Sequence, residues 1–406
     1  MRHGLGVVMV AAAILLADCD GQPQTAAGAG KSESATTTGQ AARMVIAPRF
    51  DEAGAFSEGL AAVRIGAKFG YIDTKGDIVI MPQFDHAGLF SEGVASAGIG
   101  DKNGYIDKQG MFVITPKFEV ADLFPFSEGL AAVRIGDFLS GKWGFIDKQG
   151  EIVIKPQFDG AGSFHDGLAV VGLERKWGYI DKQGLFVIEP QLDIVDLFSF
   201  SEGLAAVRIG DFLTGKWGFI DKQGEIVIKA QFDGAGSFHD GLAVVGLERK
   251  WGYIDKQGRV VIAPLFSSAG SFSDGLAAVR AGDFFTGRDG YIDKQGQIVI
   301  DAQFDAAFPF SDGLADVKVG DKYGFIDKTG EFVIQPEFDF ADSFSGGLAA
   351  VRVGDEATGK YGFIGKKGET LIKPQYDFAD LFSTSDGLAA VRVGNQEMGK
   401  YGYIGR

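Results

Sequence analysis

Short apolar stretches rich in β-branched residues recur between glycines from about residue 44 to the end of the chain. In one typical unit, residues 130–135, 142–147 and 151–155 each predict a strand. The sequence D-K-Q-G, which begins at Asp147, predicts a type I turn that ends in a left-handed glycine. Pro156 lacks a backbone donor, so it predicts a strand end or a sheet edge. No stretch has an apolar period of 3.6 residues for longer than one turn, and we therefore expect almost no helix.

One motif accounts for most of the chain. Each unit contains the string G-(Y/F)-I together with two further motifs, I-x-P-x-F and F-S-(E/D)-G-L or near variants, which recur with it in the same order. Residues 44–406 therefore form one domain of ten repeats. Residues 126–184 recur at 200–258 with changes only at Ser140/Thr214 and Pro156/Ala230, which indicates a recent duplication. The string G-(Y/F)-I occurs ten times, at Gly70, Gly104, Gly144, Gly178, Gly218, Gly252, Gly290, Gly324, Gly362 and Gly402.

Two all-β architectures fit ten three-stranded units in tandem. In an open superhelix or solenoid, each unit stacks on its sequence neighbours only. In a closed, β-propeller-like array, the last unit meets the first, usually with four strands to a blade. Because three strands are clear in each unit, the sequence favours the open form and leaves the closed array as the alternative.

The strings K-W-G-F-I-D-K-Q-G-E-I-V-I-K-P-Q-F-D and F-S-E-G-L-A-A-V-R resemble the WG (or KWG) β-repeat family of bacterial proteins. The resemblance implies an all-β repeat fold that serves as an interaction or accessory module, and it implies little about activity. Trp-Gly itself occurs at Trp143, Trp177, Trp217 and Trp251. At the other six units the tryptophan position holds Phe69, Asn103, Asp289, Tyr323, Tyr361 and Tyr401.

The first 43 residues predict an export signal and a tether. Residues 1–18 carry Arg2 and His3 before an apolar run at 7–17, which is too short for a bilayer span of about 20 residues and is typical of a secretory signal. Its end, L-A-D-C, resembles the lipobox of bacterial lipoproteins, which implies lipidation of Cys19 and anchoring on the periplasmic side of the envelope. The alternative is an ordinary signal and a soluble periplasmic or secreted product. Residues 19–43 are small and polar, so we expect a flexible tether.

Composition excludes several function classes. A formal net charge of -15 argues against a nucleic-acid partner. With one Cys and four His, and without H-E-x-x-H or C-x-x-C, we expect neither a metal nor another cofactor. No G-x-S-x-G or phosphate-binding loop is present, and the acids are near-equivalent from unit to unit, so we expect no enzyme. An envelope hydrolase with an acid pair is the weakest alternative.

Rows of acids allow two interpretations. Eight units have Asp after G-(Y/F)-I, and nine have an acid before the glycine of F-S-(E/D)-G-L, where Gly346 is the exception. Such rows could bind Ca²⁺. They are better explained as turn residues that accept backbone N–H bonds.

Loop length varies between units and suggests a binding face. Between the first and second predicted strands, five units carry four extra residues, in loops that begin at Asp137, Asp211, Asp283, Asp355 and Asn395. Three of the loops have apolar pairs, which either pack back on the core or form an exposed patch for a partner. The pairs are Phe138 with Leu139, Phe212 with Leu213, and Phe284 with Phe285.

These observations favour a non-enzymatic scaffold of the cell envelope that binds an unknown protein partner through an extended repeat face. The loop pairs, supported by Trp143, Trp177, Trp217 and Trp251, are the candidate contact residues. The alternative is a cell-wall glycan-binding module in which the tryptophan rings stack on peptidoglycan sugars.

Overall fold

In the computed structural model, the described residues are 42–119, 124–136, 140–192, 194–195, 200–210, 214–380 and 387–405. Residues 41–406 form one unit. Every regular element in the described ranges is a β-strand, and the strands form ten small antiparallel sheets arranged in a ring, as in a ten-bladed β-propeller. We call each sheet a blade and number the blades in chain order.

Strand β1 comes first and belongs to the last blade. It covers Arg43–Phe50. The strands of blades 1 to 5 are, in chain order, β2 Glu52–Ser57, β3 Leu60–Ile65, β4 Lys68–Asp73 and β5 Ile78–Phe84; β6 His86–Ala87, β7 Val94–Ile99, β8 Lys102–Asp107 and β9 Phe112–Phe118; β10 Ala131–Ile135, β11 Lys142–Ile146 and β12 Ile152–Phe158; β13 Gly160–His165, β14 Leu168–Leu173, β15 Lys176–Asp181 and β16 Phe186–Leu192; β17 Ile194–Val195, β18 Leu204–Ile209, β19 Lys216–Asp221 and β20 Ile226–Phe232.

Blades 6 to 10 repeat the pattern. Their strands are β21 Gly234–His239, β22 Leu242–Leu247, β23 Lys250–Asp255 and β24 Val260–Phe266; β25 Ser268–Ala269, β26 Leu276–Ala281, β27 Arg288–Asp293 and β28 Ile298–Phe304; β29 Ala306–Ala307, β30 Ala315–Val319, β31 Lys322–Ile326 and β32 Phe332–Phe338; β33 Phe340–Ala341, β34 Leu348–Val353, β35 Lys360–Gly365 and β36 Thr370–Tyr376; β37 Phe378–Ala379, β38 Leu388–Val393 and β39 Lys400–Gly405.

The ring is closed by β1, which pairs antiparallel with β39 and supplies the fourth strand of blade 10. The contacts at this closure resemble those of other junctions at which the G-(Y/F)-I motif has tyrosine. The Tyr403 hydroxyl donates to the Gly54 carbonyl at 2.7 Å, just as the Tyr71 hydroxyl donates to the Gly88 carbonyl at 2.8 Å. The all-β prediction is confirmed, and of the two predicted arrangements the closed array is the one found.

In nine of the ten blades, a short additional strand from the segment that links one blade to the next joins the predicted three-stranded unit; blade 3 has three strands in the described residues. In blade 4 this is β13, where Gly160 pairs with Gly172 and the Asp159 N–H donates to the Gly172 carbonyl at 2.8 Å. Its sequence G-A-G-S has no β-branched residue, so the strand was not predictable from propensity. It forms because β14 offers it a free edge to pair with.

The hydrophobic core lies between blades. The described residues form ten buried clusters, and each cluster joins two neighbouring blades. At the interface of blades 1 and 2, the Phe90 ring packs edge-on against Tyr71 at 4.9 Å, and both side chains are fully buried. The closing interface has the equivalent pair, Phe56 with Tyr403, also at 4.9 Å. A blade therefore completes its core only with its neighbours.

The glycine of G-(Y/F)-I has a steric cause. A Cβ on Gly144 would lie 2.5 Å from the Ile154 carbonyl oxygen and 2.8 Å from the Pro156 nitrogen, because the fourth strand passes directly over this residue. At all ten copies the nearest backbone oxygen would be 2.2–2.6 Å away, including Gly402 beneath β1. The close crossing fixes glycine at this position.

Candidate functional site

The antiparallel strands give each blade two different ends. One end, which we call the turn end, carries the turn between the first and second strands and the hairpin between the third and fourth. The other end, which we call the loop end, carries the connection between the second and third strands and the junction to the next blade. All five long loops predicted from the sequence belong to the loop end.

The long loop of blade 7 is held in one shape by its first residue. The Asp283 carboxylate accepts the N–H groups of Phe285 and Thr286 at 2.9 and 2.8 Å and the Thr286 hydroxyl at 2.6 Å. The hydrogen bonds from Thr286 and Phe285 hold the pKa of Asp283 below its ordinary value. The Arg280 guanidinium donates to the Phe284 carbonyl at 3.0 Å and fixes the tip from below.

In blades 9 and 10 the first residue of the long loop accepts similar hydrogen bonds from the loop backbone. We call this hydrogen-bonded turn the frame, and the residues between its two ends the tip. Asp355 accepts the N–H groups of Ala357 and Thr358, and Asn395 accepts the N–H of Met398. The residues between the fixed ends differ: the tips read F-F in blade 7, E-A in blade 9 and Q-E in blade 10. The frame is thus constant and the presented side chains are not.

The tip of blade 7 faces solvent. Phe284 is 58% exposed and Phe285 is 90% exposed, and their rings meet edge-on at 5.4 Å. At this loop the apolar pair is a surface feature, not a cap on the core. Phe138, Leu139, Phe212 and Leu213 lie outside the described residues, as do Cys19, the signal and almost all of the tether.

The four tryptophans pack against their own blades. Trp143 is 9% exposed, and its ring meets Phe124 edge-on at 5.2 Å. Trp177 lies over glycine: a Cβ on Gly160 would come within 2.8 Å of its ring. Trp217 and Trp251 are half-buried in the same position of their blades. This placement favours packing over an open stack of rings for sugars.

Blades 2 and 7 lack an aromatic ring at the tryptophan position, and in blade 7 the replacement is charged. Asp289 replaces the aromatic ring, and Arg280 on the neighbouring strand donates to both of its carboxylate oxygens at 2.6 and 3.1 Å. Arg280 also donates to the Asp305 carbonyl at 2.7 Å. A small cleft of about 160 Å³ lies beside this ion pair, lined by Ser271, Pro309 and other residues of blades 7 and 8. Because Arg280 also donates to the Phe284 carbonyl, it connects this ion pair to the long loop.

The acids of the turn end link neighbouring blades. Glu92 of blade 2 accepts the Gly129 N–H of blade 3 at 3.0 Å and lies 3.2 Å from the Lys148 ammonium of blade 3. Eight such pairs are described, and they are consistent with the prediction of turn acids that accept backbone N–H bonds. The pairs are Glu58–Lys108, Glu92–Lys148, Glu128–Lys182, Asp166–Lys222, Glu202–Lys256, Asp240–Lys294, Asp274–Lys328 and Asp312–Lys366.

The exception at Gly346 now has an explanation. The acids of this row adopt a left-handed backbone, for example φ 52° at Glu92, which is unfavourable for any residue except glycine. The partner lysine belongs to the hairpin between the third and fourth strands of the next blade. Blade 10 has no such hairpin, because its fourth strand is β1 from the other end of the chain. Blade 9 therefore has no lysine to pair with, and glycine occupies the left-handed position with φ 55°.

A second row of acids lies at the junctions of the loop end. Asp85, between blades 1 and 2, accepts from the Lys68 ammonium at 2.6 Å and from the Gly100 N–H at 2.8 Å. These two donors hold the pKa of Asp85 below its ordinary value. The junction acids therefore act as clamps between the third strand of one blade and the loop end of the next.

Blades 8 and 9 contain one buried and one half-buried carboxyl group, Asp316 and Asp342. Asp316 in β30 is 2% exposed, at a position where most blades have alanine, and accepts the Ser343 hydroxyl of blade 9 at 2.8 Å. Burial raises the pKa of Asp316 to about 6, with a further contribution from Asp342. Burial also raises the pKa of Asp342 to about 6.

Among the described residues, no three His, Cys, Asp or Glu side chains converge as a metal site requires. Within the same ranges, no helix is long and apolar enough to cross a membrane.

The repeat identified from the sequence matches a known family along nearly the whole ring. The family described as WG containing repeat matches residues 41–69, 69–102, 104–137, 143–177, 177–211, 217–251, 251–283, 290–323, 323–356 and 361–396. The chain belongs to the WG containing repeat family. No curated protein matches it.

Several solved structures resemble this WG-repeat ring at low sequence identity. The crystal structure of the eukaryotic initiation factor is 10% identical, with a TM-score of 0.50, over 77% of this chain and 95% of that one. Kluyveromyces lactis Hsv2 is 10% identical, with a TM-score of 0.35, over 58% and 93%. The tricorn protease is 9% identical, with a TM-score of 0.29, over 86% and 46%. At these identities only the first likeness informs the fold, and none informs the function.

Two features of the WG repeats escaped the sequence reasoning. The clamp acids directly follow the I-x-P-x-F anchor or its variants, and seven of the eight lie seventeen residues after the lysine or arginine that they bind, for example Asp85 after Lys68. The eighth, Asp51, binds Lys400 across the ring closure. That spacing was visible in the sequence, and it also marks Ser267 as a departure. The buried Asp316 could have been found as a charge within an apolar strand motif, but its partner Ser343 lies in another blade.

Proposed function

We propose that this protein is a non-enzymatic scaffold of the bacterial cell envelope that binds a partner protein through the loop end of its blades. The observation that carries the proposal is the exposed pair Phe284 and Phe285 on a fixed loop. Exposed aromatic side chains on a pre-organised loop lose little conformational entropy when a partner covers them. Aromatic residues also supply much of the binding energy in protein interfaces.

The constant frame with variable tips supports the same proposal. Function in repeat proteins is concentrated in loops that a rigid scaffold positions. Asp283 and Asp355 hold the same turn, yet one tip is aromatic and the other is Glu356 with Ala357. The acid rows support a non-enzymatic role, because their carboxylates are engaged in contacts between blades.

The test compares two loops of the same shape. The full chain is purified with an affinity tag, and partners are captured from an envelope extract by the wild type, by Phe284→Ser/Phe285→Ser and by Glu356→Ser/Ala357→Ser. Both variants should fold, since these tips are exposed. A protein captured by the wild type and the blade 9 variant, and lost by the blade 7 variant, supports the proposal. Capture that is unchanged by the aromatic substitutions refutes this loop as the site.

The cellular address is part of the proposal and rests on the sequence. Lipidation at Cys19 would anchor the ring on the periplasmic side through the tether. Cys19→Ser should leave an unprocessed or freely soluble product in cell fractionation. Unchanged membrane partition of the variant would refute lipidation at Cys19.

A further inference from the structure

Carboxylates occupy the loop-end junction between blades throughout the described ring, with one exception. Each of eight junction acids forms an ion pair with a lysine or arginine on the third strand of the preceding blade. The pairs are Asp51–Lys400, Asp85–Lys68, Glu119–Lys102, Asp159–Lys142, Asp233–Lys216, Asp305–Arg288, Asp339–Lys322 and Asp377–Lys360.

Seven of these acids also bind a backbone N–H of the next blade. In all seven cases the donor is the first residue after the second strand of that blade. It faces the junction and reaches the second oxygen of the carboxylate. The seven donors are the N–H groups of Gly66, Gly100, Glu174, Glu248, Gly320, Gly354 and Gly394. The junction is thus a built receptor for one carboxylate, formed by an ammonium or guanidinium group and an amide.

The junction between blades 6 and 7 keeps the receptor and lacks the acid. Ser267 stands at the position of the junction acids, and its hydroxyl donates to the Arg280 carbonyl at 3.3 Å. Lys250 is the equivalent of Lys68, and its ammonium reaches only the Gly282 carbonyl, at 3.4 Å. In the part of the chain that the structure describes, no carboxylate is within ion-pair distance of Lys250, and the exposed Gly282 N–H has no acceptor.

No neighbouring carboxylate in the described part of the chain occupies the position that the junction acids hold at the other described junctions. The charge of Lys250 reaches Asp283 and contributes to lowering its pKa, but the Asp283 carboxylate is held by its own loop through Thr286 and Phe285. Glu248 lines the same cleft as Lys250, but no ion pair joins their side chains in the described residues, and the Glu248 N–H is bound to Asp233 of the preceding junction. Lys250 and Gly282 are therefore available to an acid from outside the chain.

Apolar surface surrounds the vacant receptor. A cleft of about 330 Å³ is lined by Leu247, Glu248, Lys250 and Pro264 on blade 6. The residue after Pro264, Leu265, is 70% exposed. On the blade 7 side, the loop that begins after Gly282 presents Phe285. A cationic group and a free amide thus lie between two exposed hydrophobic elements.

We infer that the junction of blades 6 and 7 binds an acidic side chain of a partner protein, one that lies next to a hydrophobic residue in an exposed segment. The inference rests on the proposed function and gives the chemistry of the partner. The partner carboxylate takes the place that Asp85 has at Lys68 and Gly100, and its hydrophobic neighbour contacts Leu265 or Phe285. The complementarity is specific because the other described junctions already contain their own acid.

The experiment uses matched peptides and the full chain. The probes are labelled, end-capped peptides with one aspartate between two hydrophobic residues, drawn from a small set of Phe, Leu and Tyr flanks, each with an asparagine counterpart. Binding is measured by fluorescence anisotropy at low and moderate salt. We expect at least one aspartate peptide to bind the wild type about tenfold more tightly than its asparagine counterpart, since charge-assisted hydrogen bonds are lost in the latter.

Two variants and a control define the site. Ser267→Asp supplies the missing acid, so it should remove the aspartate preference while thermal stability stays equal or rises. Lys250→Gln should remove the preference as well. Lys216→Gln, at a junction that Asp233 already fills, should leave the preference unchanged.

Three results would overturn the inference: equal binding of the aspartate and asparagine peptides, no binding of any peptide, or an aspartate preference that survives Ser267→Asp. Its failure is distinguishable from failure of the proposed function. A partner protein that is captured equally by the wild type and Ser267→Asp but lost by Phe284→Ser/Phe285→Ser leaves the loop tip as the site and removes the carboxylate receptor.

Discussion

At the interface of blades 1 and 2, Tyr71 packs against Phe90 and the Ser57 hydroxyl donates to the Phe90 carbonyl at 2.7 Å. The same contacts recur at the interface of blades 7 and 8, between Tyr291 and Phe310 and from Ser273. The loop tips of blades 7, 9 and 10 share a backbone frame and almost no side chains. The comparison shows two kinds of constraint in one repeat: the blade interfaces keep their residues because the ring depends on them, and the tips are free to differ.

The closing interface should be the most sensitive part of the ring. Deletion of residues 42–50 removes β1, and with it the buried Ile46 and Phe50 and the strand that covers Tyr403 and Ile404. We expect a loss of more than about 5 kcal/mol of unfolding free energy, since several large side chains lose burial and a sheet edge is exposed. Thermal unfolding and size-exclusion chromatography measure the change. Deletion of residues 20–40 is the control, and equal melting of both deletions would contradict a closed ring.

The interface of blades 8 and 9 should be the most sensitive to pH. The pKa of Asp316 is raised from 3.8 to about 6, so the native state holds its proton more tightly than the unfolded chain does. Its contribution to stability is present below pH 3.8 and is lost as the pH rises through about 6, which amounts to about 3 kcal/mol by pH 8. Asp316→Asn should therefore gain stability relative to the wild type between pH 4 and pH 8.

Urea unfolding at pH 4 and pH 8 measures this difference. The junction acids with lowered pKa act in the opposite direction in both proteins, so the comparison of variant with wild type cancels them. A stability difference that does not change with pH would show that Asp316 is ionised in both states or in neither.

The turn end should show a smaller effect. Glu92→Gln keeps the side-chain shape and removes the charge that faces Lys148 and the Gly129 N–H. Because the ion pair is partly solvated, we expect a loss of about 1 kcal/mol. Glu356→Gln at the exposed tip of blade 9 should change stability by less than about 0.5 kcal/mol. Equal losses in the two variants would remove the distinction between interfaces and tips.

The aromatic tip should show the smallest effect on folding. Phe284→Ser/Phe285→Ser removes exposed rings, and the Asp283 frame remains. We expect a change in unfolding free energy within about 0.5 kcal/mol by urea titration. A loss above about 2 kcal/mol would show that the pair supports the core after all, and the binding tests with this variant would then need the Phe285→Ser single substitution.

Most of the fold was predictable because the same pattern of strands and turns recurs in ten repeats. The strands predicted at residues 142–147 and 151–155 are β11 and β12, and the turn at Asp147 has the predicted left-handed Gly150 with φ 78°. Ring closure was not predictable, since it depends on β1 pairing with β39 across the whole chain. Propensity and periodicity are local signals, and they carry no information on such a distant pairing.

The candidate site was predictable only in part. Loop length and the paired apolar residues identified Phe284 and Phe285 before the fold was known. The role of the tryptophans as contact residues stays a prediction, and the cross-strand neighbours that position Trp143 and Trp177 are not visible when these residues are considered singly in the sequence. The site at Lys250 could not be identified from the sequence alone. It is recognised only by comparison with the equivalent junction, where Lys68 binds Asp85.

The duplication of residues 126–184 at 200–258 has a consequence for the curvature of the ring. A closed ring without the second copy would have eight blades, and each blade would turn through a larger angle. For such a ring to close, the edge-on aromatic pairs and the carboxylate clamps would have to accept a different angle between neighbours. A ring of blades that accepts such a change can gain or lose two blades at a time and still close, so its diameter can change during evolution.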